Sequence, residues 1–122
     1  MLLGLRTIIY RVGDLEQAKA WYMALIGHGP YFDQPFYVGF AVGGFELGLD
    51  PHGTAATAGG PVTYWGVADI AEENSRLLGL GAREQTPIED VGDGIRTAVV
   101  VDPFGNAIGL IQNPHFSLAD VR

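Results

Sequence analysis

Apolar and β-branched residues run together over Leu5–Val12 (LRTIIYRV), which predicts a strand. Asp14 follows as an N-cap, with Gln17 at the capping-box position three residues on. Leu15, Ala18, Tyr22, Leu25 and Ile26 then recur at helical spacing, and Gly27 closes the helix. The stretch YFDQPFYVGFAVGGFELGL is short strand material broken by Gly and Pro. Asp50–Gly60 (DPHGTAATAGG) has no apolar periodicity and is rich in small residues, so it reads as a loop or linker. The pattern then restarts. Val62–Val67 (VTYWGV) reads as a strand, Asp69 caps a second helix with Glu72 at the capping-box position, and Gly81 ends it. Ile70, Leu77 and Leu78 mark the apolar face of this second helix. Ile95–Val101 and Ala107–Ile111 read as strands on either side of a DPFGN turn.

The two halves match. Val12 maps to Val67, Asp14 to Asp69 and Leu15 to Ile70, a shift of 55 residues. FELGL from Phe45 resembles IGLIQ from Ile108, a shift of 63. Each half therefore reads strand–helix–strands, and the pattern implies a duplicated βαβββ unit. A half of this size cannot bury a core alone, so the 122 residues are expected to form one domain, with modules over about 1–55 and 60–116.

Composition narrows the partners. The net charge is −7, a balance that repels phosphate backbones, so neither nucleic acid nor an anionic membrane is an expected partner. A neutral or cationic ligand suits this surface better. The chain has no cysteine, which removes disulfides, thiolate metal sites and cysteine nucleophiles, and fits a reducing compartment such as the cytoplasm. No stretch reads as a signal peptide or reaches membrane-spanning length.

Three motifs, RVGDLEQAKAWYMALIG, GVADIAEENSRLLGLGA and VVVDPFGNAIGLIQ, resemble the vicinal oxygen chelate superfamily of glyoxalases, extradiol dioxygenases and bleomycin-resistance proteins. The D-P-x-G-N turn and its apolar strand are the most specific of them. The resemblance implies an α+β fold in which two tandem βαβββ modules form open barrel-like mixed sheets around a ligand cavity. Metal-dependent members place four donors, usually His, Gln or Glu, on strands. Carried onto this chain, those positions fall on Thr7, its repeat partner Val62, Glu46 and Gly109. Valine and glycine offer no donor, and threonine alone is a poor one. The expectation is therefore no metal cofactor, with a divalent metal as the alternative. His28, His52 and His115 all fall in loops or turns.

Strand parity then gives a lining. With Thr7 and Val62 facing the cavity, Ile9 and Tyr64 face it too, while Ile8, Tyr10, Thr63 and Trp65 face the helices. Gly48, Ala107 and Ile111 share parity with Glu46 and Gly109. Tyr31–Phe40 adds five aromatics in ten residues, among them Tyr37 and Phe40. Such walls suit stacking on planar groups and cation–π contact. The expected ligand contacts are Thr7, Ile9, Tyr37, Phe40, Glu46, Gly48, Tyr64, Gly109 and Ile111. Glu46 is either a carboxylate for a cationic ligand or a general base. Two functions follow. One is a metal-independent protein that sequesters a natural product or drug, as the bleomycin-resistance branch does. The other is a glyoxalase-like lyase or isomerase with Glu46 as base or as an unconventional metal ligand. Short members of this family usually pair, so a homodimer is expected.

Overall fold

The structure is a computed structural model, and it describes residues 1, 3, 5–53 and 62–117. The chain divides into two compact units. One is Met1–Gly60 with Phe104–Asn106, and the other is Pro61–Pro103 with Ala107–Arg122. The fold is α+β, built as two βαβββ modules with one four-stranded mixed sheet each.

In the first unit, β1 (Thr7–Arg11) leads into α1 (Leu15–Ile26), followed by β2 (Phe32–Gln34), β3 (Tyr37–Val42) and β4 (Phe45–Asp50). The sheet order is β1-β4-β3-β2, with β1 parallel to β4 and the remaining pairs antiparallel. Asp14 caps α1, its Oδ1 accepting the Gln17 N–H at 3.0 Å. Both Gly43 and Gly44 have positive φ, as a two-residue hairpin of type I′ between β3 and β4 requires. Alternation sorts the strands into two faces. Tyr10, Val38, Phe40, Leu47 and Leu49 are buried with Leu15, Ala18 and Tyr22 of α1. Each large side chain buried this way contributes about 1.5–3 kcal/mol. Phe104–Asn106 also belong to this packing. Phe104 sets its ring edge-on to Trp21, with centroids 6.2 Å apart, and Asn106 Nδ2 donates to the Arg11 carbonyl at 3.0 Å.

The second unit repeats the plan with β5 (Thr63–Gly66), α2 (Ile70–Gly79), β6 (Arg83–Gly92), β7 (Ile95–Val101) and β8 (Ala107–Gln112), in the order β5-β8-β7-β6. Asp69 Oδ1 accepts the Glu72 N–H at 3.1 Å. The Gln112 side chain accepts the Ile70 N–H at 2.8 Å, tying the last strand to the helix start.

Two features differ from the sequence expectation. β6 carries no clear alternation (REQTPIEDVG), and Pro87 lies inside it. It is an edge strand with register shifts on both sides of Thr86, where a missing N–H breaks no ladder bond. On α2 the buried face is Ile70, Asn74 and Leu77, while Leu78 is exposed. Asn74 and Leu77 follow Ile70 by four and seven residues and sit at the centre of the stripe, whereas Leu78, eight residues on, lies at its edge in the last turn. Residues 54–60 of the expected loop lie outside the described residues. Asp50, its expected first residue, is the end of β4.

Candidate functional site

The face of the first sheet turned away from α1 holds most of the expected residues of that half. Thr7 pairs with Glu46 and Ile9 with Gly48 across the parallel ladder, so these four share one face. On β3, Gly39 pairs with Gly48. Two opposed glycines leave a trough in the sheet, and the neighbouring side chains fold into it. The Tyr37 ring lies over Gly48: a Cβ there would collide with the phenol and stand 2.7 Å from Tyr37 Cε1. Glu46 lies over Gly39, with Oε1 3.3 Å from where a Cβ would be. The two side chains meet, and Tyr37 Oη donates to Glu46 Oε2 at 2.6 Å. This is a short charge-assisted bond, and it fixes the carboxylate in one orientation.

Burial raises the Tyr37 phenol above its ordinary value, and the nearby Asp50 carboxylate adds to this. Asp50 itself is lowered, first by the His52 backbone N–H that donates to Oδ1 at 2.8 Å. Its side-chain partners are His52 Nδ1 at 2.9 Å from Oδ1 and Arg11 Nη1 at 3.3 Å from Oδ2. Arg11 Nη1 also donates to the His52 carbonyl at 2.9 Å. Asp50, Arg11 and His52 thus form a network at the end of β1 and β4. That network was not read from the sequence. Only the ladder partner of Arg11, Asp50, would have pointed to it.

Phe40 does not join this face. It is fully buried, with Leu47 as its ladder partner and Val38 on its own side. A residue three positions from Tyr37 on a strand must point the other way, so Phe40 fills the core rather than contacting a ligand on this side. Ile9 is half exposed on the trough face.

The second sheet has its own version of the trough. Tyr64 pairs with Gly109 and Gly66 with Ile111, so Tyr64, Gly109 and Ile111 share the face turned away from α2. A Cβ on Gly109 would lie 2.6 Å from Tyr64 Cδ1 and 2.9 Å from the Thr63 carbonyl oxygen. Gly109 is therefore required by close approach of the Tyr64 ring.

The ladders also correct the repeat. Val12 N–H donates to the Asp50 carbonyl, and Val67 N–H donates to the Ile111 carbonyl. Ile9–Gly48 and Tyr64–Gly109 are then equivalent pairs, and the last strands match at a shift of 61, not 63. Gly109 corresponds to Gly48, while Glu46 corresponds to Ala107. Leu47-Gly48-Leu49 against Ile108-Gly109-Leu110 carries the match in register, and Phe45-Glu46-Leu47 lies two residues ahead of it. So the repeat-related strand positions carry glycine in both modules, each covered by a tyrosine ring. Of the four positions the resemblance marks, Thr7, Val62, Glu46 and Gly109, Glu46 faces Thr7 across the ladder and is the one carboxylate, and one carboxylate beside a threonine does not make a donor set for a transition metal. Among the described residues, no group of three or more His, Cys, Asp or Glu side chains is placed to hold a metal ion.

Known proteins give the context for this geometry. Residues 4–110 match the family profile of the Glyoxalase/Bleomycin resistance protein/Dioxygenase superfamily. CFP32 of Mycobacterium bovis, a glyoxylase by name, is 31% identical over 109 residues, covering 81% of this chain. The chain spans 41% of the length of that relative. The crystal structure of a glyoxalase-related enzyme from Fulvimarina pelagi superposes with a TM-score of 0.73 at 25% identity, covering 93% of this chain and 90% of the other. Lactoylglutathione lyase from Agrobacterium tumefaciens shares the fold, with a TM-score of 0.73 at 18% identity and coverage of 94% and 98%. Sequence match, duplicated architecture and strand order agree: this chain belongs to the glyoxalase/bleomycin resistance protein/dioxygenase superfamily.

Proposed function

We propose that this protein binds a small organic molecule without a metal and acts by sequestering it, in the manner of the bleomycin-resistance members of its family. The observation that carries this reading is the filling of both glycine positions, Gly48 and Gly109, by the rings of Tyr37 and Tyr64. Where a metal enzyme needs inward nitrogen or oxygen donors, this chain offers aromatic surface and one oriented carboxylate. Such a surface suits stacking on a planar or cationic ligand. The lyase or isomerase reading, with Glu46 as base, has less support. Glu46 Oε2 already accepts the Tyr37 hydroxyl, and the enzyme names come from relatives that are distant in sequence or more than twice as long.

The test is a thermal-shift screen of planar neutral and planar cationic natural products on chelator-treated protein, with a parallel assay of lactoylglutathione turnover. The reading expects a saturable shift that chelator does not abolish and no turnover. Turnover restored by an added divalent metal would overturn it in favour of the lyase.

A further inference from the structure

We propose that Tyr31, Phe32, Tyr37 and Glu46 form a recognition site for an N-alkylated organic ammonium group, set over Gly39. This inference rests on the ligand-binding reading above and names the chemistry of the ligand. Three groups converge on one point. A Cβ on Gly39 would stand 3.3 Å from Glu46 Oε1, 3.5 Å from Tyr31 Cε1 and 3.5 Å from Tyr37 Cε2. Phe32 closes the aromatic side, its ring centroid 6.1 Å from that of Tyr37 and tilted by 57°. Gly39 supplies the floor, where a Cβ would press on Glu46 Oε1 and touch both rings.

The parts are held in place by the sheet. The Tyr31 N–H donates to the Gly39 carbonyl at 3.0 Å, and Phe32 pairs with Gly39 across the β2–β3 ladder. Lys19 of α1 anchors the same edge strand through Asp33 Oδ2 at 3.1 Å. Glu46 Oε2 is held by the Tyr37 hydroxyl, which leaves Oε1 on the Gly39 side. Aromatic rings plus one fixed carboxylate are what an alkylated ammonium needs. The rings attract the cation through their quadrupoles and contact its alkyl groups, and the carboxylate supplies the counter-charge. A phosphate or carboxylate ligand would meet repulsion at the same place. Tyr31 and Phe32 are exposed, so the rings are open to a ligand.

The experiment uses choline and its neutral carbon isostere, dimethylbutanol, as probes on the full chain, followed by amide chemical shifts and fitted affinities. Choline is expected to bind roughly tenfold more tightly than the isostere, the sum of modest cation–π and ionic terms at a half-open site. The shifts should centre on Tyr31, Gly39 and Glu46. Tyr31→Ala, at an exposed position, and Glu46→Gln should each weaken choline by about threefold or more without changing the fold, read from the unperturbed part of the same spectra. Equal affinity for the two probes, no response to choline, or shifts away from Gly39 would overturn the proposal. The screen of neutral planar compounds separates the two readings. A neutral hit without a choline response sinks the ammonium site and leaves metal-free binding standing.

Discussion

Gly48→Ala tests the trough directly. Gly48 does not have positive φ, so its backbone accepts alanine without strain. In an open strand the change would stabilise by about 0.4–1 kcal/mol through the unfolded chain. Here the new Cβ would stand 2.7 Å from Tyr37 Cε1 and overlap the phenol oxygen, so the ring must leave. Overpacking costs about 1–3 kcal/mol. Losing the Tyr37–Glu46 hydrogen bond adds about 1 kcal/mol at a half-buried site. The net expectation is a loss of about 2 kcal/mol, or roughly 8 °C in Tm for a domain of this size. The decisive comparison is a double-mutant cycle. In a Tyr37→Ala background, Gly48→Ala should become neutral or mildly stabilising, a coupling of about 2 kcal/mol. Urea denaturation followed by circular dichroism measures all four proteins. An equal cost of Gly48→Ala in both backgrounds would refute the account of the trough.

Other perturbations read other parts of the structure. Asp14→Ala and Asp69→Ala remove N-caps of equivalent helices, and each should cost about 1 kcal/mol in the same denaturation assay. Asp50 is lowered below 3.8 in the folded state, so its contribution is present above that value and is lost as the pH falls through the folded-state pKa; Asp50→Asn should flatten the acid limb of the stability curve. Tyr37 is raised above 10.0, so its contribution is complete below pH 10 and is lost as the pH rises through the folded-state pKa. The tyrosinate absorbance of wild type minus Tyr37→Phe should titrate above 10.0, and Asp50→Asn should move that midpoint part of the way down, since burial is the larger cause. We also expect a homodimer, because β1, β2, β5 and β6 are sheet-edge strands that can pair. A monomeric mass in sedimentation at micromolar concentration would contradict it.

The helices, their caps and the strands that pack on them were legible because each rests on local chemistry. Asp14 and Asp69 announce helix starts by residue type, and Tyr10, Ala18 and Tyr22 follow the period of their elements. β6 was not legible, because an exposed edge strand has no buried face to impose alternation and tolerates Pro87. The equivalence of Gly48 and Gly109 in the two modules needed ladder register, which no local pattern carries. The Tyr37–Glu46 contact needed still more: register between β3 and β4, and two opposed glycines that let both side chains lie flat. Glu46 was legible as a carboxylate on the right face but not as a partner of Tyr37. Phe40 was misplaced because an aromatic cluster was read as one surface, whereas strand alternation sends Tyr37 and Phe40 to opposite sides.

The central claim is that this member of the superfamily works without a metal. Elemental analysis tests it most directly, on protein purified without chelator, incubated with nickel, zinc, manganese and iron salts, and desalted. Retention below roughly a tenth of an equivalent is the expected result, because among Thr7, Val62, Glu46 and Gly109 only Glu46 carries a good donor. Retention near one equivalent, lost on Glu46→Gln, would contradict the account and place Glu46 in a metal centre.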